Sequence, residues 1–196
     1  MLTHPVLMEL AAQRDEQIAA RARRRGAAHP TVMLRSLVPG EEAALLEVFS
    51  GLGPRSRFLR FLTAKPRLTA GDLRHLTAVD EHDHVAILAV SVDDGRAVGV
   101  ARFVRPPDDP GSADVAIAVV DRWQGRGIGT LLATALAGRA AELGVERLTL
   151  SMARDNHAVK GLLRRAGVSV EVHEQDRETT ELTVHLELPL TVAADR

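Results

Sequence analysis

Residues 114–132 read DVAIAVVDRWQGRGIGTLL, and this stretch decides the fold because it combines a strand, a tight turn and the start of a helix. Small and β-branched apolar residues fill positions 115–120 without a break, which is typical of a strand buried on both faces. Three alternating glycines then precede a helical pattern. Glycine lets a ligand approach the backbone closely, and the free N–H groups of a helix's first turn attract anions. We therefore predict a pyrophosphate-binding loop between this strand and this helix.

The spacing of the glycines distinguishes three kinds of phosphate-binding loop. A Walker loop ends in Gly-Lys-Ser/Thr, and this loop contains no lysine. The dinucleotide fingerprint G-x-G-x-x-G follows a first strand, whereas Gly125 to Gly129 is one residue shorter and lies in the middle of the chain. The pattern that fits is Q/R-x-x-G-x-G/A, with Gln124, Gly127 and Gly129 at its fixed positions. A turn that only packs a helix against a strand is the structural alternative.

This pattern resembles the acyl-CoA signature of the GNAT superfamily of N-acyltransferases. A second block supports the resemblance, because Asn156 opens a helical pattern that ends at Gly167-Val168, as in that family. Asn is also a common helix N-cap, and one side chain can serve both purposes. The resemblance implies acetyl-CoA as co-substrate, no metal, and a cofactor-binding role for Val119, Gln124, Gly125, Arg126, Gly127, Ile128, Gly129, Thr130 and Asn156.

The composition of the whole chain narrows the class of protein. Its 196 residues are enough for one good core and too few for two ordinary domains. The absence of cysteine excludes disulfides, a thiol nucleophile and a cysteine-based zinc site. A formal net charge of -1 argues against general nucleic-acid binding. No apolar run approaches the roughly 20 residues that a membrane helix needs. We therefore expect a cytoplasmic protein without a membrane partner. A homodimer is a candidate assembly.

The other hydrophobic patterns predict an α/β (α+β) chain. We expect strands at 31–38, 84–90, 97–104, 145–151, 168–172 and 180–188, and helices at 41–49 and 128–143. Thr69 and Asp72 form a capping-box pattern that starts another helix, and the turn residues 93–95 predict a hairpin. With the resemblance, these elements predict the GNAT fold, a single central mixed, mostly antiparallel sheet flanked by helices.

The same patterns divide the chain into three segments. The GNAT domain is predicted at 30–190, a helical extension at 1–29 and a tail at 191–196. The extension ends in a basic cluster at 21–25. These arginines either complement the dipole of the predicted helix or form an interaction arm.

Within the superfamily, the blocks at 56–61, at 76–80 with His84, and at 114–130 most resemble the catalytic domain of Pat-type bacterial protein lysine acetyltransferases. Those enzymes often carry a fused regulatory domain, and here the resemblance predicts the catalytic domain alone. A lysine ammonium, with a pKa near 10.4, must lose a proton before it attacks a thioester. In Pat-type enzymes a glutamate before the glycine loop accepts this proton. The matching residue here is Asp114, which is one methylene shorter.

Three functions remain open at this stage. The first is a protein lysine acetyltransferase, and the second is a GNAT enzyme for a small amine such as an amino sugar or a polyamine. The third is a non-catalytic acyl-CoA-binding regulator. The shorter Asp114 favours this third function, as does the absence of tyrosine, the acid that many other GNAT enzymes use toward the leaving thiolate.

The histidines and acids at 80–84, Asp-Glu-His-Asp-His, allow two interpretations. They resemble a metal cluster, but their spacing matches no common metal site. A loop of this composition before a strand is more typical of solvated or locally hydrogen-bonded side chains, and we favour that interpretation.

Overall fold

The structure is a computed structural model that describes residues 32–166, 168–174 and 177–186. Its strands are β1 (Val32–Ser36), β2 (His84–Ser91), β3 (Ala97–Val104), β4 (Ser112–Val119), β5 (Arg147–Ala153), β6 (Val170–Glu174) and β7 (Thr179–His185). Its helices are α1 (Glu42–Ser50), α2 (Pro54–Phe61), α3 (Ala70–Thr77), α4 (Ile128–Glu142) and α5 (His157–Ala166). The predicted helical extension at 1–29 and the predicted tail at 191–196 lie outside the described residues.

The strands form one sheet in the order β1-β2-β3-β4-β5-β7-β6. Neighbouring strands are antiparallel except β4 and β5, which are parallel and are joined through α4. A parallel pair needs such a crossover, because a tight turn can join only antiparallel strands. The predicted mixed, mostly antiparallel sheet flanked by helices is therefore confirmed.

The parallel pair β4 and β5 stays together only at its beginning. Three residue pairs join the two strands, and the last of them is Asp114 with Thr149. Beyond this point β4 continues to Val119 along β3, and β5 continues to Ala153 along β7. No further ladder pair joins β4 to β5 within the described ranges. The two strands thus separate beyond Asp114, and we call the space between their unpaired lengths the wedge.

The two faces of the sheet bury separate hydrophobic clusters. Leu132 of α4 packs with Phe103 of β3 on one face, and neither side chain is exposed. On the other face, α1 and α3 pack over the sheet, with Leu45 of α1 against Leu88 of β2. Because side chains alternate along a strand, the odd-numbered residues of β4 face α4 and the even-numbered ones face α1 and α2.

Several local signals in the sequence have their predicted structure. Thr69 and Asp72 form the capping box, in which the Asp72 N–H donates to Thr69 Oγ1 at 3.2 Å and the Thr69 N–H donates to Asp72 Oδ2 at 2.7 Å. The Lys65 ammonium, together with the N–H and the hydroxyl of Thr69, which both donate to Asp72 Oδ2, holds the pKa of Asp72 well below its usual range. Gly95, in the turn between β2 and β3, has a φ of 69°, a left-handed conformation that suits glycine.

Two strands begin later than the hydrophobic pattern predicts. Val145 is fully buried, but its N–H donates to Ala140 O at 3.0 Å and so completes the turn that ends α4. β5 therefore starts at Arg147. Val168 packs against the core but precedes the ladder of β6, which starts at Val170. Over the part of the chain that the structure describes, no helix combines the length and the apolar character needed to cross a bilayer.

Candidate active site

The glycine loop opens at the wide end of the wedge. After β4, a short 3-10 helix, Asp121–Trp123, leads into the loop, where Gly125 and Gly127 adopt left-handed φ angles of 74° and 82°. Gly127 is the N-cap of α4, and the Leu131 N–H donates to its carbonyl at 3.0 Å. The N–H groups of the first three helical residues, 128–130, therefore precede the intrahelical ladder and are available to an anion.

The Gln124 side chain holds the loop in place. Its Nε2 lies 2.9 Å from Val119 O and 3.1 Å from Asp121 Oδ1, so its amide ties the loop to the end of β4. Asp121 Oδ2 in turn accepts the Gly53 N–H at 3.0 Å, which joins the loop to the start of α2. The first fixed position of the signature thus shapes the loop through its side chain.

The other signature residues differ in what they offer a ligand. Ile128 is 2% exposed within the core, so only its backbone can contribute. Arg126 is exposed, and its guanidinium lies 5.0 Å from the centre of the Trp123 ring. A Cβ added at Gly129 would meet Leu162 Cδ1 at 3.8 Å and a Val119 methyl at 3.9 Å, which are ordinary contact distances. Alanine therefore fits at position 129, as the G/A of the signature allows, whereas the φ of Gly127 disfavours any side chain.

Asn156 lies across the wedge from the glycine loop, at the end of β5. Its side chain is 6% exposed, and Oδ1 accepts the Val159 N–H at 3.3 Å, which makes it the N-cap of α5. The capping role proposed from the sequence is confirmed. Asp155 beside it forms a salt bridge with Arg55 of α2, so α2 is fixed to this side of the wedge.

Asp114 lies at the narrow end of the wedge. Its carboxylate is exposed and accepts a hydrogen bond from Thr149 Oγ1 on β5, at the last residue pair that joins the two strands. The hydrogen bond from Thr149 orients the Asp114 carboxylate, and the carboxylate can accept a proton. The structure thus brings Asp114 and the glycine loop to opposite ends of one opening.

A buried cation on β3 was not predicted from the sequence. Arg102 is 6% exposed, and its guanidinium donates to Nε2 of His84 on β2. Burial first, and then the charge of Arg102, lowers the pKa of His84 to about 4. His84 is therefore neutral at pH 7 and can accept this hydrogen bond. An arginine inside an apolar strand, Val-Ala-Arg-Phe-Val, is the signal that could have indicated this pair.

The acids and histidines at 80–84 are locally hydrogen-bonded, as we favoured from the sequence. Asp80 Oδ1 accepts the N–H groups of His82, Asp83 and His84 at 2.9, 2.9 and 2.8 Å. Among the described residues, no group of three or more His, Cys, Asp or Glu side chains could hold a metal ion.

Acid is expected to destabilise the fold through His84. An unfolded histidine has a pKa near 6.5, so the unfolded state binds the proton more tightly than the folded state, where the pKa is about 4. The free energy of unfolding should fall as the pH drops below about 6.5, and the contribution of His84 should level off below about 4. Urea unfolding across this range measures the effect. His84→Gln keeps an acceptor for Arg102 but does not titrate, so the free energy of unfolding of this variant should fall less steeply with decreasing pH. An equally steep fall in the wild type and the variant would contradict the role of His84.

Comparison with known proteins identifies the family. The family model for the acetyltransferase (GNAT) family matches residues 56–168. The chain therefore belongs to the GNAT acetyltransferase family, as its glycine loop and sheet indicate.

Individual relatives agree with this assignment. Acetyltransferase Pat of Mycolicibacterium smegmatis is 32% identical over 134 residues, a match that spans 68% of this chain and 40% of that protein. The solved GNAT domain of S. lividans PAT has a TM-score of 0.71 at 24% identity, over 79% of this chain and 90% of that one. A Sinorhizobium meliloti phosphinothricin acetyltransferase, solved with AcCoA, has a TM-score of 0.64 at 18% identity, over 84% of this chain and 97% of that one. At these identities the two structures support the fold alone.

Proposed function

We propose that this protein transfers the acetyl group of acetyl-CoA to the side-chain amine of a protein lysine. The observation that carries the proposal is the wedge between β4 and β5, which runs from the glycine loop to Asp114. A ligand with an anionic head and a long, narrow arm fits such an opening. Membership of the GNAT acetyltransferase family supports the choice of acetyl-CoA as that ligand.

In this proposal the pyrophosphate of CoA binds at the start of α4. The N–H groups of Ile128, Gly129 and Thr130 are its donors, and Gly125 and Gly127 let it come close to the backbone. Arg126 adds an exposed positive charge beside the same loop. Together these groups supply the charge and the hydrogen bonds that an anionic head requires.

The pantetheine arm then lies along the diverging edge of β4. Past Asp114 this edge has no ladder partner on β5 among the described residues, so peptide groups at 115–118 are available to the amides of the arm. The five residue steps from Val119 back to Asp114 span about 16 Å of strand. The thioester therefore reaches the narrow end of the wedge, beside the Asp114 carboxylate, while Asn156 flanks the arm from the opposite side.

The chemistry needs one proton acceptor. Asp114, directly or through a water molecule, takes a proton from the lysine ammonium, and the freed amine attacks the carbonyl carbon of the thioester. A C–N bond forms, the nitrogen releases its second proton to solvent, the C–S bond breaks, and CoA leaves as a thiolate that takes a proton from solvent. No tyrosine exists in the chain to protonate the thiolate.

Protein lysine is proposed as the acceptor because the chain resembles Pat-type protein lysine acetyltransferases, and acetyltransferase Pat of Mycolicibacterium smegmatis is a relative with 32% identity. The chain corresponds to 40% of that protein's length, so the comparison concerns one part of it. A small-molecule amine is the alternative acceptor. A catalytically weak acyl-CoA-binding regulator is the second alternative, and the short side chain of Asp114 is the observation that favours it.

CoA and acetyl-CoA are expected to raise the melting temperature of this protein. A ligand that binds only the native state stabilises it by RT ln(1 + [L]/Kd), about 2.7 kcal/mol at a hundredfold excess over Kd. ATP and NAD at the same concentrations should raise it much less, because they offer phosphates without a pantetheine arm. An equal shift with ATP would indicate a general phosphate site. Release of free CoA thiol with an acetyl-CoA synthetase, the protein acceptor that the resemblance to Pat-type enzymes implies, and separately with small amines, then distinguishes the three functions.

A further inference from the structure

A small cavity of about 30 Å³ lies between the sheet and helices α1, α2 and α3. Apolar side chains form most of its wall. Among its described lining residues only Arg60 of α2 and Arg102 of β3 carry a charge, and no carboxylate lines it. We propose that these two arginines bind a carboxylate carried by the acetyl acceptor, so that the acceptor is an amine with a neighbouring carboxylate.

Within the described residues, neither the buried Arg102 nor the half-buried Arg60 has the carboxylate partner that an arginine withdrawn from solvent usually has. A buried charge is costly unless it is paired and hydrogen-bonded, and the described partner of Arg102 is His84, which is neutral at pH 7. Arg60 is half-buried, and its guanidinium lies 4.8 Å from the centre of the Phe61 ring. Burial lowers the pKa of each arginine to about 10, and the charge of Arg60 contributes to the shift of Arg102. Both remain charged at pH 7, so two positive charges face one cavity.

A carboxylate is the ligand that this arrangement suits. The planar guanidinium fork binds carboxylates through paired, charge-assisted hydrogen bonds. A cavity needs roughly 10–15 Å³ to hold one water-sized group, so this one has room for the two oxygens of a carboxylate. Its otherwise apolar wall lowers the local dielectric and so strengthens the attraction.

The cavity lies on the acceptor's side of the proposed reaction. Arg102 pairs with Ala116 across β3 and β4, and Asp114 is two residues further along on the same face. Diagonal neighbours of this kind have their Cβ atoms about 7 Å apart. An acceptor whose amine is at Asp114 can therefore reach Arg102 with a carboxylate a few bonds away. This inference rests on the proposed function for the position of the amine, but the arginine pair is defined by geometry alone.

The test uses acceptors that differ only in this group. One arm compares amino acids from β-alanine to 6-aminohexanoate with their carboxamides. The other compares a blocked lysine peptide that carries Asp beside the lysine with its Asn twin. In at least one arm the carboxylate member is expected to have roughly tenfold or higher kcat/KM, the usual effect of a charged hydrogen bond. The arm that responds separates a small-molecule source of the carboxylate from a peptide source.

Variants assign the preference to the two arginines. Arg60→Gln and Arg102→Lys should each lower the ratio of kcat/KM for the carboxylate acceptor to that for its carboxamide toward one. The change should come chiefly from a higher KM for the carboxylate acceptor. Arg60→Gln alters a half-buried residue near the end of α2, which protects the test if Arg102 variants fold poorly. Arg74→Gln, an exposed arginine on neighbouring α3, is the matched control and should leave the preference unchanged.

A binding measurement separates failure of this inference from failure of the proposed function. Calorimetric titration with 6-aminohexanoate and with its carboxamide requires no turnover. Tighter binding of the carboxylate that Arg60→Gln weakens supports the arginine site even if no thiol is released. Equal binding and equal turnover of carboxylate and carboxamide members in both arms would overturn it, as would a preference that survives both arginine variants.

Discussion

Gly127→Val is expected to abolish CoA binding. Gly127 is the N-cap of α4 with a φ of 82°, a conformation that a β-branched residue adopts only at a cost on the order of 1–3 kcal/mol. Valine would either strain the backbone at position 127 or rotate the three N–H groups at 128–130 away from the phosphate. Its methyl groups would also occupy the path by which the phosphate approaches. The thermal stabilisation by saturating CoA should therefore disappear, and calorimetry should detect no binding at concentrations that saturate the wild type.

Two further variants separate the loss of the anion site from a general loss of stability. Gly144→Val introduces the same strain, because Gly144 has a φ of 79° and open space around it. It lies after the other end of the 15-residue α4, about 22 Å away, and should keep the CoA-induced shift. Gly129→Ala should also keep it, since the added Cβ makes ordinary contacts. CoA binding by Gly127→Val at wild-type affinity would show that the anion site lies elsewhere.

The sequence predicts those parts of the fold that local physics controls. The order of strands and helices follows from hydrophobic periodicity, and the capping box at Thr69 and the turn at Gly95 follow from residue types that suit only a few backbone conformations. The glycine loop belongs to the same group, because its spacing distinguishes one kind of phosphate loop from two others. Strand ends are less well predicted, as Val145 illustrates: a buried valine continues the apolar pattern although its N–H already closes the helix.

The wedge and the arginine pair could not be predicted in this way. Where β4 and β5 separate depends on the elements packed against them, such as α2, which contacts both strands, and this is long-range information that no stretch of sequence contains. The same holds for Arg60 and Arg102, which are 42 positions apart and meet only because α2 packs over the sheet. Gln124 is an intermediate case. Its place in the signature was predicted, but the bonds of its side chain to Val119 and Asp121 were not.

Asp114→Asn is expected to lower turnover by roughly 10²–10⁴, the range for loss of a positioned proton acceptor, while acetyl-CoA affinity hardly changes. The substitution preserves size, and the Asn oxygen can still accept the hydrogen bond from Thr149 Oγ1, so the narrow end of the wedge should keep its shape. Time-course assays of CoA thiol release with a verified acceptor measure the turnover rate. The thermal shift caused by CoA measures its binding. Asp108→Asn, which changes an exposed carboxylate in the turn between β3 and β4, is the control and should turn over normally.

Asp114→Glu distinguishes a base from a structural carboxylate. The extra methylene restores the length that the resemblance to Pat-type enzymes implies, so this variant should retain or exceed the wild-type rate. A structural role predicts the opposite order, because Asn preserves the contact with Thr149 and Glu displaces it. If Asp114 and its Asn variant turn over equally, the carboxylate is not the proton acceptor. If the wild type and all variants release no thiol yet bind acetyl-CoA, that result favours the acyl-CoA-binding regulator.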